Sequence, residues 1–239
     1  MKPSDIELLK LLAAMLGPIL TIGVSAWGIV YQLRKNAERE NKTRSLNMRR
    51  DVYFDAVEAI AGAVSCITKY ADIEKPNNLL ETNADKHLGH ASRASLIVQL
   101  ETYRVLTDFL KKAVQAQMEI ATHRLHAIAL KSRADVLSKI AQSLPPGDPR
   151  FTHATSDAQV AVVKVGAAQL ELLEHALQLV RGLAPLQAKV VCAMRVELET
   201  GVDEKAFLEI SENQLNASFD EAEKFLRVIR NKIESASSG

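Results

Sequence analysis

The sequence predicts an all-α protein in which a single N-terminal transmembrane helix continues into an elongated, coiled-coil-like antiparallel bundle of about four long helices. Three observations predict it. Residues 11–33 are 23 consecutive positions without Asp, Glu, Lys, Arg or His. At about 1.5 Å rise per residue such a helix crosses a hydrocarbon core roughly 30 Å thick. Apolar residues make up 47% of the chain and aromatics only 5%, with Ala, Leu, Val and Ile dominant, a balance that favours helix over strand. Only 10 Gly and 7 Pro punctuate 239 residues, so the uninterrupted segments are long.

Residues 1–10 read as a short extracytoplasmic N-terminus, in which Ser4 and Glu7 have the spacing of a capping box. Within the 11–33 transmembrane helix, Gly17-Pro18 predicts a mild kink because proline removes a backbone donor. Ala13, Gly17, Thr21 and Ser25 recur every four residues and form a ribbon of small side chains, a surface on which membrane helices pack closely. A secretory signal peptide is the rival reading, with Val24-Ser25-Ala26 as its cleavage site. Against it, Asp5 and Glu7 offset Lys2 and Lys10, and the run continues through Trp27, Tyr31 and Leu33. A core helix of a soluble protein fits less well, since 23 uncharged residues exceed what such helices carry.

Residues 34–50 read as a basic juxtamembrane helix. They hold seven cations, Arg34, Lys35, Arg39, Lys42, Arg44, Arg49 and Arg50, against two acids, whereas the leader holds two lysines. Lys and Arg are retained on the cytoplasmic side, so the C-terminal part is expected in the cytoplasm, at an inner membrane if the source is bacterial. Trp27 and Tyr31 then fall at the cytoplasmic interface, with the basic residues against anionic headgroups. This stretch contributes +5 to a chain whose net charge is +1, which leaves −4 elsewhere. No basic face for nucleic acid remains.

The cytoplasmic bundle is expected over 51–235, with helices near 46–74, 84–143, 156–199 and 203–235 and a flexible tail at 236–239. In the first, Leu46, Tyr53, Val57, Ile60, Val64 and Ile67 keep helical spacing, and Lys75-Pro76-Asn77-Asn78 stops it. The second meets no proline before Pro145 and shows a stripe of Leu96, Leu100, Tyr103, Leu110, Val114, Ala121, Leu125 and Ile128. Leu144-Pro145-Pro146-Gly147-Asp148-Pro149-Arg150 reverses the chain. Ser156 with Gln159 caps the third helix, which is apolar on two faces: Val163, Leu170, Leu173, Leu177 and Val180 on one, Val165, Leu172, Leu179, Leu183, Leu186 and Val190 on the other. Gly182 and Pro185 predict a kink in it. Thr200-Gly201-Val202-Asp203 supplies a C-terminal glycine and an N-cap. The fourth helix carries Leu208, Leu215, Phe219, Ala222, Phe225, Leu226, Ile229 and Ile233.

Two clusters have metal-ligand residue types. Glu119, His123 and His126 share one helix face, and Glu171 and His175 lie on the next helix, at the same level if the chain folds back near residue 149. Glu119, His123 and His126 fall opposite the Leu110-Val114-Ala121-Leu125-Ile128 stripe, and Glu171 and His175 fall on the third helix's narrow polar strip with Lys164, Gln178 and Lys189, so the sequence places both sets on solvated faces. His87 and His90 lie within reach of Asp72 and Cys66 across a loop, but read as polar helix-end residues. Cys66 and Cys192 have no CxxC spacing and read as buried free thiols. No P-loop, GxGxxG, GxSxG or HExxH pattern occurs.

These features imply no catalytic residue, cofactor, metal ligand or small-molecule substrate. The expected function is a non-enzymatic, membrane-anchored scaffold, adaptor or sensor whose partners are the lipid bilayer and either its own copies or a membrane or cytoplasmic protein. The alternatives are a metal-binding bundle or enzyme using the Glu/His clusters, and an envelope-facing anchored coiled coil of inverted topology.

Overall fold

A computed structural model describes residues 44–198, 201 and 203–237, which form five α-helices and one 3-10 turn, with no strand among the described residues. α1 spans Arg44–Tyr70, α2 Asn77–Arg93, α3 Leu100–Ser143, α4 Phe151–Glu197 and α5 Glu204–Ser237, and the 3-10 turn lies at Ala94–Leu96. The helical bundle is therefore present. Among the described residues no helix is long and apolar enough to cross a membrane. The Leu11–Leu33 run, its ribbon of Ala13, Gly17, Thr21 and Ser25, and the interface residues Trp27, Tyr31, Arg34, Lys35, Arg39 and Lys42 lie outside the described residues.

α1 buries the stripe read from its sequence: Tyr53, Val57, Ile60, Val64 and Ile67 are all in the core. It ends at Tyr70 rather than 74. Beyond it Ala71 and Asp72 donate to the carbonyls of Thr68 and Lys69 in tight turns. Pro76, extended at φ −63° and ψ 136°, then launches α2 at once.

The segment expected as one helix over 84–143 is two. No proline or glycine marks the break, but the stretch before it is a weak helix former. Ser92 and Ser95 turn their hydroxyls back onto the Gly89 and Ser92 carbonyls, and the β-branched pair Ile97-Val98 follows. Ile97 leaves helical geometry at φ −127° and ψ −11°, and Gln99 is extended. A distant carboxylate holds the corner, because the Gln99 backbone N–H donates to Glu197 Oε1 at 2.9 Å and the Tyr53 hydroxyl donates to Glu197 Oε2. Burial, then the Glu197 hydrogen bond and charge, push the Tyr53 phenol well above its ordinary range.

α3 and α4 form the antiparallel hairpin predicted around Pro145-Pro146. Asp148 closes the turn by accepting the Arg150 backbone N–H at 2.8 Å and its guanidinium at 3.1 and 2.8 Å. α4 accordingly starts at Phe151, ahead of Ser156, which caps nothing. It runs unbroken through Gly182 and Pro185 and, as its two apolar faces predict, packs against α3, α1 and α5. Gly201 adopts φ +65° and Asp203 Oδ1 accepts the Ala206 N–H at 3.1 Å, the predicted cap and turn into α5. α5 then seats Leu215, Phe219, Ala222, Leu226, Ile229 and Ile233 on α4, while Phe225 stays partly exposed. Arg181 with Glu223 at 2.5 Å, and Arg230 with Glu174, pair the two helices at their rims.

Candidate functional site

The site is built on α3, whose buried face is not the one its large apolar residues mark. Leu106, Ala113, Ile120, Ala127, Ala134 and Ala141 recur every seven residues and are all buried, with Phe109 and Ala116 beside them. A strict heptad of mostly small residues is a coiled-coil seam, and small side chains let two backbones approach closely. Most of the stripe predicted as the core face lies outside, and only Leu110, Ala121 and Ile128 pack against the core. Leu96, Leu100, Tyr103, Val114 and Leu125 are exposed, and Leu110, Ala121 and Ile128 are half-buried. The difference has a physical cause: α3 meets its neighbours through alanines with Leu106, Phe109 and Ile120 between them, and the apolar residues a third of a turn away are left in solvent.

The result is a line of exposed apolar residues, interrupted by Thr107, Lys111, Thr122 and Ser132. Leu100, Tyr103, Val114, Met118, Leu125, Val136 and Ile140 are 42–68% exposed. At 3.6 residues per turn they fall within roughly 100° of arc along about 60 Å of helix. Met118, Val136 and Ile140 were not singled out in the sequence, although they share the phase of Val114 and Leu125.

Arg124 lies on the inner face, in line with Ile120 and Ala127, and is 1% exposed. Its guanidinium donates to the Tyr70 carbonyl at 2.7 Å, to Asn77 Oδ1 at 2.9 Å, and to the carbonyls of Asp72 and Lys75. It thus satisfies the carbonyls that α1 leaves open at its C-terminal end and in the following loop. Burial lowers its pKa, countered mainly by Asp72. The interruption of an Ala/Leu/Ile row by one arginine was the available sequence signal.

Beside the buried face, Glu119 and His123 of α3 meet His175 of α4. One ligand atom from each lies within 4.8 Å of the others. His175 Nε2 is 3.0 Å from Glu119 Oε1, yet it is buried and makes no hydrogen bond with acceptable geometry. The His123 and His175 rings stand 4.2 Å apart between centroids, tilted by 47°. The fold-back about the Pro-rich loop therefore brings these groups to one level as the spacing suggested. Glu119 and His123 are exposed, as their angular position implies, yet they lie at the edge of the seam and so still meet the half-buried His175. His126 and Glu171 stay exposed and outside the cluster.

The second histidine pair does not converge on Asp72 or Cys66. His87 instead packs on Gly62, where a Cβ would stand 2.3 Å from its Nδ1, and burial lowers its pKa, aided by Lys69 and Lys86. Cys66 and Cys192 are buried free thiols, both raised in pKa by burial. Comparison with protein families, with curated protein sequences and with solved structures finds no match to this chain.

Proposed function

We propose that the chain is a non-enzymatic, membrane-anchored helical scaffold or adaptor, held by residues 11–33, that docks a partner helix, its own or another protein's, on the outer face of α3. The observation that carries this reading is the exposed apolar line from Leu100 to Ile140. Isolated surface leucines are ordinary, but seven large apolar residues exposed on one side of a helix are the mark of an interaction surface. A helix partner reads such a line through residues spaced three, four and seven apart, and Val114, Met118 and Leu125 at its centre are four and seven apart. The anchor is supported by the uncharged run and by the seven cations that follow it.

The test uses the full chain, solubilised gently from membranes and weighed by mass photometry. The expected result is a particle heavier than one chain, reduced to single chains in a Met118→Glu, Leu125→Glu variant that keeps its helical circular dichroism. A wild-type particle of one chain that co-purifies with no protein removes the docking reading. Release of the chain from membranes by alkaline carbonate removes the anchor. Exchange of Gly17 and Thr21 for leucine weakens assembly if the small-residue ribbon also makes a contact. A reporter fused after Gly239 that works only outside the cytoplasm reverses the topology.

A further inference from the structure

We propose that Glu119, His123 and His175 form a binding site for a divalent first-row transition metal, with zinc the reference ion, that staples α3 to α4. The inference rests on this cluster alone and stands or falls separately from membrane anchoring and partner docking. One carboxylate oxygen and two imidazole nitrogens lie within 4.8 Å of one another, so small side-chain adjustments bring all three to about 2 Å from a common ion. Glu119 and His123 are one helical turn apart and therefore project side by side. His175 enters from the opposite helix, and the alanine seam fixes the spacing between the two.

The donor set selects the ion class. Calcium and magnesium require oxygen ligands and are served poorly by two imidazoles. Two histidines and one glutamate are a recurrent zinc set that leaves a fourth position to water or an incoming ligand. The unbound arrangement has the frustration that a cation relieves. His175 Nε2 is buried without a hydrogen bond, and two imidazoles stand 4.2 Å apart, tilted by 47°, with a carboxylate beside them. A metal between them accepts both nitrogen lone pairs and offsets the carboxylate charge. Glu119 is 51% exposed on its side chain, so the ion reaches the site from solvent.

The experiment takes the full chain in detergent, stripped of metal, and titrates it with cobalt(II) and then zinc(II). The expected result is one ion per chain, visible d–d absorption of a nitrogen and oxygen site with cobalt, its loss on adding zinc, and a higher melting temperature that a chelator reverses. Outer-shell changes alone typically cost about 10–100-fold in metal affinity, so removing a ligand costs at least tenfold. The His123→Ala, His175→Ala double variant should therefore bind no stoichiometric ion, and isosteric Glu119→Gln should bind at least about tenfold more weakly. Circular dichroism confirms that each variant folds, and Glu119→Gln carries the test if the double variant does not. Exchanging His126 for alanine or Glu171 for glutamine leaves binding unchanged. Absence of saturable binding in the wild type, or binding that survives loss of both histidines or depends on His126 or Glu171, overturns the site.

Discussion

α3 and α4 are nearly equal in length, 44 and 47 residues, and lie antiparallel along one another, yet they distribute their apolar residues in opposite ways. α4 buries Leu170, Leu172, Leu173, Leu177, Val180 and Leu183 on several sides, as a helix with neighbours all round must. α3 buries five alanines and one arginine beside only three large apolar residues, Leu106, Phe109 and Ile120, and exposes Leu100, Met118 and Leu125. The difference teaches that residue size does not by itself choose the inner face. Where two long helices must approach closely, small residues take the seam, and the large apolar residues of the same helix are left for another surface.

The severest test of that contrast is Arg124, the one charge on the inner face of α3. Replacing it with methionine keeps the bulk but leaves the carbonyls of Tyr70 and Lys75 without their donor, while the Asp72 carbonyl keeps the Lys75 N–H. Buried acceptors left unpaired cost about 1–3 kcal/mol each where water cannot replace the donor, so a loss of about 3 kcal/mol is expected in urea unfolding. Arg124→Lys restores the charge but not the planar fork, and recovers only part of it. A methionine variant as stable as the wild type would mean that the inner face needs no polar latch.

Next in size is a matched pair that probes the two faces directly. Ala127→Leu forces bulk into the seam and should cost about 1–3 kcal/mol. Leu125→Ala, two residues away on the outer face, should change the stability of the single chain by less than about 0.5 kcal/mol. If the pair reverses, with Leu125 the costly position, the outer strip is covered within the chain itself and the docking surface is lost.

The same contrast explains what was legible beforehand. α1, α4 and α5 each carry large apolar residues where the core lies, so periodicity alone identifies Tyr53, Ile60, Leu172 and Phe219. The loop at Pro145-Pro146 and the Gly201-Asp203 turn are local chemistry and were equally readable. On α3 the larger residues outweigh the alanine heptad in the pattern, which sets the phase wrongly and separates His123 and Glu119 from His175, although both are exposed as the sequence implies. The repeat of Ala113, Ile120, Ala127, Ala134 and Ala141 at seven-residue intervals carries the correct phase. The break after α2 was not readable, because its fixing partner, Glu197, lies 98 residues from Gln99.

Glu197 sits where α4 ends and α3 begins, and it makes that junction sensitive to alkali. Tyr53→Phe removes the hydroxyl that binds it and should cost about 1 kcal/mol near neutral pH. The Tyr53 phenol is raised from an ordinary value of 10.0 in the folded chain, chiefly by burial. A raised acid holds its proton in the folded state after the unfolded chain has released it. Its stabilisation is therefore complete below about pH 10 and is lost as pH rises above that. Unfolding free energies measured from pH 8 to 11 should fall more steeply in the wild type than in Tyr53→Phe, with the remaining slope shared by Tyr70, also raised by burial. Parallel curves would place the Tyr53 proton outside the junction.

The smallest expected effect concerns Gly182, in the middle of α4. A glycine inside a long helix at the level of a close-packed seam invites the reading that it permits backbone contact. The surroundings contradict that reading: a Cβ at Gly182 meets nothing within 4 Å, and the residue is exposed. With ordinary helical φ and open space, only backbone entropy distinguishes glycine from alanine here. Gly182→Ala should therefore stabilise the chain by about 0.5–1 kcal/mol. For a protein of this size that corresponds to a rise of about 1–4 °C in melting temperature. A destabilised Gly182→Ala would show that α4 is approached at this point by a surface outside the single chain. Suppression of that loss by Met118→Glu, Leu125→Glu would then link it to the same assembly that covers the outer face of α3.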